Sequence, residues 1–270
     1  MLALAGFAGG AQAQDRVLSL GGSITEIVFA LGEGDRIVAR DTTSSFPPDV
    51  ENLPDVGYLR ALSPEGVLSV EPDLVLAEEG AGPPETIAVL EAADIPFIMI
   101  PDGYDRTAIR AKIEAVAIAL DVQDKGAELA DTVDRSLADA IQSATVAGPK
   151  RVMFILSMQG GRILASGTGT AADGIIEMAG AENAVTSYEG YKPLTDEAVI
   201  AANPDVILMM DRGGDHAVDT SALFSHPGLA LTPAARTQAV VRIDGLLLLG
   251  FGPRTPKAVL ELSEALSGAG

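Results

Sequence analysis

The sequence predicts an α/β fold made of two related halves with mostly parallel sheets, joined by one long helix. Three observations lead to this prediction. Short apolar segments alternate with amphipathic segments of helical period, which is typical of βαβ units. A motif of the first half is repeated in the second half. A long amphipathic stretch at 122–147 separates the two copies.

The repeated motif has the same parts in both halves. Each copy has a Gly-Tyr pair, a basic residue, a hydroxyl residue suited to cap a helix, a glutamate two residues later, and a Pro-Asp pair before a buried strand. The first copy runs through Tyr58, Arg60, Ser63, Glu65 and Asp73, and the second through Tyr191, Lys192, Thr195, Glu197 and Asp205. Two such halves favour a ligand bound between them.

Apolar runs and glycine or proline breaks set the order of elements in the first half. Strands are predicted at 16–20, 36–39, 74–77 and 95–100, with helices at 24–31, 64–71 and 85–93 between them. The turn Gly21-Gly22-Ser23 lacks the spacing of a phosphate-binding loop, so we interpret it as a plain strand-to-helix turn.

The middle of the chain is predicted to be helical. Apolar residues at helical spacing form two stripes, Ile109, Ile113, Val116 and Leu120, then Leu129, Val133, Leu137 and Ile141. The second stripe predicts a helix of about 24 residues, or ~36 Å. We therefore divide the chain into an N-terminal lobe at 15–121, a linking helix at 122–147 and a C-terminal lobe at 148–270. A stiff linking helix predicts limited hinge motion.

The second half repeats the alternation of strands and helices. Strands are predicted at 151–156, 206–210 and 239–243, a helix follows the turn at 166–170 and ends at Gly180, and the last helix spans 255–266.

Composition and charge exclude some functions. The chain has 270 residues, 47% of them hydrophobic, and a net charge of −20. Such an acidic surface disfavours nucleic acids and anionic membranes by repulsion. The absence of cysteine excludes disulfides and thiolate metal sites. Residues 1–14 are mostly small and apolar, and Ala11-Gln12-Ala13 resembles a signal-peptidase site. We therefore predict a signal-peptide remnant, cleavage near Ala13 and a periplasmic mature protein.

Tyr58 and Arg60 are the first candidate ligand-binding residues. Tyr58 lies in a loop before a helix start, and Arg60 follows two residues later. A tyrosinate can ligate ferric haem, and a nearby guanidinium can stabilise the phenolate or pair with a propionate. The alternative is a tyrosine that packs on its own loop. Its counterpart Tyr191 can stack on a ligand from the other side or be equally ordinary.

Glu65 and Glu197 are made conspicuous by the repeat, because each lies in the first turn of its helix. Complementarity to the helix dipole explains one such glutamate. A matched pair instead suggests two symmetric basic sockets on a two-fold partner.

The other charged and histidine candidates are less specific. Arg212 and Arg254 follow strands, where α/β folds bind ligands, although each can equally be a solvated charge. His216 lies in a glycine loop and can reach a ligand, whereas His226 lies in a turn and is predicted at the surface. The sequence contains no zinc-protease, nucleophile-elbow or Ser/His/Asp pattern, so we predict that the protein is not an enzyme.

Four segments, 19–26, 56–65, 71–75 and 249–255, carry a family resemblance. They are similar to the periplasmic haem-binding proteins of bacterial ABC haem importers, a helical-backbone class that also serves cobalamin and iron–siderophores. The similarity covers essentially all of the mature chain. The segment from Gly57 to Ser63 is the most particular to haem binders, whereas the Pro-Asp-Leu-Val element occurs throughout the class.

The resemblance implies a class III periplasmic binding protein with two Rossmann-like lobes and haem b, the transported ligand, in the cleft. Tyr58 would be the axial iron ligand, and Arg60 and Arg212 would lie near the haem. Glu65 and Glu197 would dock a monomeric protein onto the permease dimer. Some relatives add a histidine from the second lobe. Met158 is the candidate for that position here, and we expect five-coordinate iron with Tyr58 alone.

Two alternatives remain open. Within the class, the ligand can be a ferric siderophore or cobalamin, although 4% aromatic residues and no tryptophan disfavour a large stacking pocket. Outside the class, a secreted α/β enzyme or adhesion module would require a catalytic constellation or a large apolar patch.

Overall fold

The computed structural model describes residues 16–93, 95–144, 150–211 and 219–269, which form a four-stranded and a six-stranded sheet. The first sheet contains β1 (Val17–Leu20), β2 (Ile37–Arg40), β3 (Leu74–Glu78) and β4 (Phe97–Ile100), in the order β2-β1-β3-β4. Each neighbouring pair in this sheet is parallel. The predicted signal-peptide remnant at 1–14 lies outside the described residues.

The second sheet is mixed. It contains β5 (Arg151–Gln159), β6 (Arg162–Ser166), β7 (Glu182–Asn183), β8 (Tyr191–Leu194), β9 (Val206–Asp211) and β10 (Val240–Asp244), in the order β10-β9-β5-β6-β8 with β7 beside β5. The pairs of β5 with β6 and of β6 with β8 are antiparallel, and the other pairs are parallel. The prediction of mostly parallel sheets is therefore confirmed, while the antiparallel pairs are a finding of the structure.

Helices cover both faces of the sheets. They are α1 (Gly22–Ala30), α2 (Pro64–Leu68), α3 (Pro84–Glu91), α4 (Arg106–Ala119), α5 (Gln123–Ser143), α6 (Ala171–Met178), α7 (Asp196–Ala202), α8 (Thr220–Phe224), α9 (Pro233–Thr237), α10 (Gly245–Leu249) and α11 (Thr255–Gly268). Short 3-10 helices lie at Gly34–Arg36, Pro48–Asn52 and Leu229–Leu231. Within the described part of the chain, no helix is both long and apolar enough to cross a membrane.

The long helix predicted between the halves is α5. It has 21 residues, and it packs against α4 and α11 through buried Val133, Leu137 and Ala140. Its length of roughly 31 Å, at 1.5 Å per residue, is slightly less than predicted. The predicted lobe boundaries at 121 and 148 stay predictions.

One hydrophobic core joins the two halves. A single cluster of buried apolar residues continues from α1 through α4 and α5 to β5, α6 and α11. The outer face of each sheet has its own cluster, in which Val67 of α2 and Val199 of α7 are fully buried. Burial of this apolar surface is the main stabilising term of the fold.

The two copies of the motif fold alike around their capped helices. The Ser63 hydroxyl accepts a hydrogen bond from the Gly66 N–H at 3.1 Å, and the Thr195 hydroxyl accepts one from the Ala198 N–H at 3.3 Å. Each cap satisfies an N–H group that the first turn of a helix leaves unpaired. The structure therefore confirms the predicted helix starts.

The tyrosines of the two copies lie in different local structures. Tyr58 is in a loop, as predicted, whereas Tyr191 begins the edge strand β8. The difference arises because the second half adds the hairpin of β5 and β6, and β8 pairs with β6. The two copies of the motif therefore differ in local structure at the tyrosine, although their helix starts are alike.

Candidate functional site

The loop that carries Tyr58 is fixed through its backbone, while the Tyr58 ring remains exposed. The Gly57 N–H donates to Asp55 Oδ1 at 2.8 Å, and the Gly57 carbonyl accepts from the Thr42 N–H at 3.1 Å. Gly57 has a φ of +98°, a backbone conformation that glycine adopts more readily than other residues. Leu59 is buried, and Tyr58 is 44% exposed. The loop therefore presents a phenol on a rigid support.

The charge of Arg60 acts on groups of both halves of the chain. Its side chain is exposed, and burial raises the pKa of Tyr191 and of Glu78, a rise that the positive charge of Arg60 partly opposes. Tyr191 belongs to the second sheet and Glu78 ends β3 of the first. The structure thus places Arg60 within electrostatic range of Tyr191, although they lie far apart in the sequence. We call Tyr58, Arg60, Tyr104 and Tyr191 the inter-half site.

The Tyr191 ring is available for stacking, while its hydroxyl is bonded within its own half. The ring meets Phe154 edge-on, with centroids 6.4 Å apart and planes inclined by 66°. Burial raises the pKa of Tyr191, opposed by hydrogen bonds with Thr170, the backbone of Ala172 and Ser166. A phenol held in this way suits ring stacking better than ligation of a metal.

Tyr104 is a member of the inter-half site that sequence reasoning missed. Its ring meets Phe251 edge-on at 5.3 Å, and its hydroxyl bonds with Asp102. Burial, together with the charges of Asp102, Tyr191 and Glu78, raises the pKa of Tyr104 well above its ordinary value. A sequence signal existed, because Gly103-Tyr104 is a further Gly-Tyr pair that follows a strand.

A buried polar cluster lies beside these residues. Lys112 Nζ lies 2.7 Å from Asp102 Oδ1, 3.3 Å from Ser23 Oγ and 3.4 Å from the Gly250 carbonyl. The Ser23 hydroxyl donates to Glu78 Oε2 at 2.9 Å, and burial raises the pKa of Glu78. Lys112 is fully buried, and its ammonium group bonds residues of both halves of the chain. The sequence signal that could have revealed this cluster was a lysine at a core position of the apolar stripe of α4.

Arg254 also joins the two halves, and the alternative that it is a solvated surface charge was wrong. Its guanidinium makes a bidentate pair with Glu26, at 2.5 and 3.0 Å, and lies 3.8 Å above the Phe46 ring. Burial raises the pKa of Glu26, opposed by the Arg254 pair. Arg254 is thus a structural partner of a buried carboxylate.

Glu65 and Glu197 are exposed in the first turns of α2 and α7, as the repeat predicts. The pKa of Glu197 is lowered by hydrogen bonds from the backbone N–H of Glu197 itself and from the Thr195 hydroxyl. Both carboxylates are therefore available at the surface.

The remaining candidates lie elsewhere. Arg212 and His216 fall outside the described residues. The surface prediction for His226 was wrong, because its side chain is buried and its Nε2 lies 2.9 Å from the Gly161 carbonyl. Met158 packs against the core of the second half. Within the described ranges, no group of three or more His, Cys, Asp or Glu side chains could hold a metal ion.

Solved structures share this fold over nearly the whole chain. The periplasmic heme-binding protein BhuT in complex with two hemes has a TM-score of 0.89 and 45% identity, over 94% of this chain and 98% of that chain. The periplasmic heme-binding protein RhuT from Roseiflexus sp. RS-1, in apo form, has a TM-score of 0.90 and 40% identity, over 94% and 98%.

Curated relatives and a family model agree with these structures. The uncharacterized ABC transporter substrate-binding lipoprotein YvrC of Bacillus subtilis is 28% identical over 255 residues, which are 93% of this chain and 79% of the relative. A vitamin B12-binding protein of Yersinia pestis is 27% identical over 223 residues, 82% of this chain and 78% of the relative. A model for periplasmic binding proteins matches residues 17–246. The chain therefore belongs to the periplasmic binding protein family and has its class III fold.

Proposed function

We propose that this protein is the haem-binding component of an ABC haem importer. It binds ferric haem between its halves and delivers it to the permease dimer. The observation that carries the proposal is the fixed loop with exposed Tyr58 and with Arg60, whose charge acts on Tyr191 in the other half. The 45% and 40% identities to two periplasmic heme-binding proteins support the same ligand.

Three residues of the inter-half site and Arg212 have proposed roles that follow from their chemistry. Tyr58 ligates the ferric iron as a tyrosinate, for which an exposed phenol on a fixed backbone is suited. Arg60 stabilises that phenolate or pairs with a haem propionate. Tyr191 stacks its ring against the macrocycle. Arg212 is the proposed second propionate partner, and the iron is five-coordinate.

The proposed transport cycle requires export and docking. The signal-peptide remnant at 1–14 is cleaved near Ala13, and the mature protein acts in the periplasm as a monomeric binding protein rather than an enzyme. Glu65 and Glu197, one on each half, dock onto basic residues of the permease dimer. Their exposure in equivalent capped helices supports this role.

A second candidate ligand is cobalamin or a ferric siderophore. The 27% identity to a vitamin B12-binding protein favours cobalamin. Cobalamin brings its own corrin-bound cobalt, however, and gives no reason for an exposed tyrosine beside an arginine. We therefore rank haem first.

A hemin titration followed by absorption spectroscopy tests the ligand. We expect the unaltered protein to give a saturable Soret band with a tyrosinate charge-transfer band. Tyr58→Phe should lose that charge-transfer band. Tyr191→Phe is the matched control, because it retains the ring and removes only an internally bonded hydroxyl.

Each other result has a defined meaning. An unchanged spectrum in Tyr58→Phe would remove Tyr58 as the ligand while leaving haem as the cargo. Loss of the spectrum in Tyr191→Phe instead would assign the iron to Tyr191. If hemin fails to saturate the protein and cyanocobalamin binds instead, the haem proposal is wrong.

A further inference from the structure

The two helices with the proposed docking glutamates share a second exposed feature. Leu68 of α2 is 37% exposed and Ile200 of α7 is 40% exposed. Each lies three residues after its glutamate, so the two aliphatic side chains occupy the same position of the repeat. Residues three apart on a helix lie on one face, so each helix presents an acid and an aliphatic group together.

The opposite face of each helix explains why these aliphatic groups point outward. Val67 and Val199, one residue before Leu68 and Ile200, are fully buried against the outer core of their own sheets. The inward face is therefore already filled by a valine in both copies. Leu68 and Ile200 are left outside because of the helical period and not because the core lacks apolar residues.

Comparison of the two copies separates what recurs from what varies. The positions between and beside these residues differ, with Pro64 against Asp196, Gly66 against Ala198 and Ser69 against Ala201. The glutamate, the inner valine and the outer aliphatic residue recur. One exposed aliphatic side chain needs no explanation. Two at equivalent positions, each beside a matched glutamate, are better explained by a partner that contacts both halves in the same way.

We infer that Leu68 and Ile200 are apolar anchors of the docking surface, and that their partner is a two-fold permease dimer. Each subunit of that dimer would offer a basic side chain beside an apolar socket. The inference rests on the proposed function and extends it, because an exposed ion pair alone contributes little to a complex. An aliphatic group that excludes water next to the pair increases both the buried apolar area and the strength of the ion pair.

The two kinds of residue should act on different steps of docking. Surface charges accelerate encounter, and salt screens their effect. Apolar anchors act after contact, so their loss mainly accelerates dissociation. Changes at Glu65 and Glu197 should therefore reduce the association rate at low salt. Changes at Leu68 and Ile200 should raise the dissociation rate at any salt concentration.

The test uses the haem-loaded full chain and its cognate permease dimer in lipid nanodiscs, with docking kinetics measured at two salt concentrations. Leu68→Gln/Ile200→Gln should weaken docking by about tenfold or more, because two aliphatic side chains lose their burial. Leu260→Gln/Ile118→Gln is the matched control. It replaces the same residue types at exposed positions of α11 and α4, and docking should not change.

A hemin titration of each variant separates the two ideas. If the unaltered protein binds no hemin or does not dock, the proposed function fails, and the anchors fail with it. If it does both, equal docking by Leu68→Gln/Ile200→Gln and by the control overturns the anchors alone. A change in dissociation rate that disappears at high salt would also overturn them, because it would identify an electrostatic effect.

Discussion

Two lysines of this chain form ion pairs of nearly the same length in opposite surroundings. Lys112 Nζ lies 2.7 Å from Asp102 Oδ1, and the lysine side chain is fully buried. Lys125 Nζ lies 2.6 Å from Glu33 Oε1, and that lysine side chain is 56% exposed. Since the geometry is matched, replacement of each lysine by methionine measures the effect of burial on the free energy of unfolding.

The expected magnitudes differ several-fold. Removal of one partner of a buried pair costs about 3–5 kcal/mol, because the other charge is left buried without compensation. Asp102 is 16% exposed and retains the Tyr104 hydroxyl, so we expect the lower end of that range for Lys112→Met. For Lys125→Met we expect about 0–1 kcal/mol, because water screens an exposed pair.

Urea unfolding at neutral pH, followed by circular dichroism, gives both free energies. Lys112→Met/Asp102→Asn removes both charges and should recover part of the loss of the single variant. A difference of less than about 1 kcal/mol between Lys112→Met and Lys125→Met would refute the reasoning from burial. A double variant that is no more stable than Lys112→Met would show that the uncompensated carboxylate is not the cause.

Two further predictions concern the inter-half site and the polar cluster beside it. Burial raises the pKa of Glu78 above 4.5, so the unaltered protein should lose stability as the pH rises from that value through the raised pKa. Glu78→Gln should therefore gain stability relative to it over this range, and a pH-independent difference in unfolding free energy would contradict the assignment. Gly174→Ala would place a Cβ 2.6 Å from the Tyr104 carbonyl oxygen and should destabilise the fold by about 1–3 kcal/mol and weaken hemin binding. Gly268→Ala, with open space at its Cβ, is the control and should change neither.

The parts of the fold that were predictable depend on local signals. The helix starts of α2 and α7 rest on a hydroxyl cap and a following glutamate, all within a few residues, so the sequence predicts them without knowledge of the rest of the chain. The α4 stripe was likewise predicted, and its apolar residues are buried. The hairpin of β5 and β6 was not predicted, although the pair Gly160-Gly161 is a local sequence signal for a two-residue hairpin turn, and both glycines have the positive φ that such a turn requires.

The parts that were missed depend on partners that are distant in the sequence. In the sequence, Lys112 is only a polar interruption of an apolar helix face. Its partners Asp102, Ser23 and Gly250 become apparent in the structure, and Gly250 lies 138 residues away. In the sequence, His226 is a turn residue. In the structure its ring lies against the carbonyl of Gly161, which is 65 residues away. A local pattern indicates which side chains are polar, but only the tertiary structure decides which are buried and paired.

The two halves also share equivalent bonds that the sequence motif does not include, and these bonds limit how the protein can move. Backbone N–H groups of Arg16 and Arg151, which precede and begin the first strand of each half, donate to Asp73 and Asp205 at 3.0 and 2.9 Å. The Arg16 guanidinium also donates to the Val70 carbonyl, two residues after α2, and the Arg151 guanidinium donates to the Ala202 carbonyl at the end of α7.

Each proposed docking helix is therefore bonded to the first strand of its own half. That strand leads to the proposed ligand site in both halves, since β1 runs into the turn of Ser23 beside Glu78, and β5 carries Phe154, whose ring meets Tyr191 edge-on. A signal of bound haem to a partner then has to come from a change between the halves rather than within one. Interactions that cross between the halves include the charge of Arg60 on Tyr191, the bond of Lys112 to the Gly250 carbonyl and the pair of Glu26 with Arg254. Such a change must alter interactions of this kind.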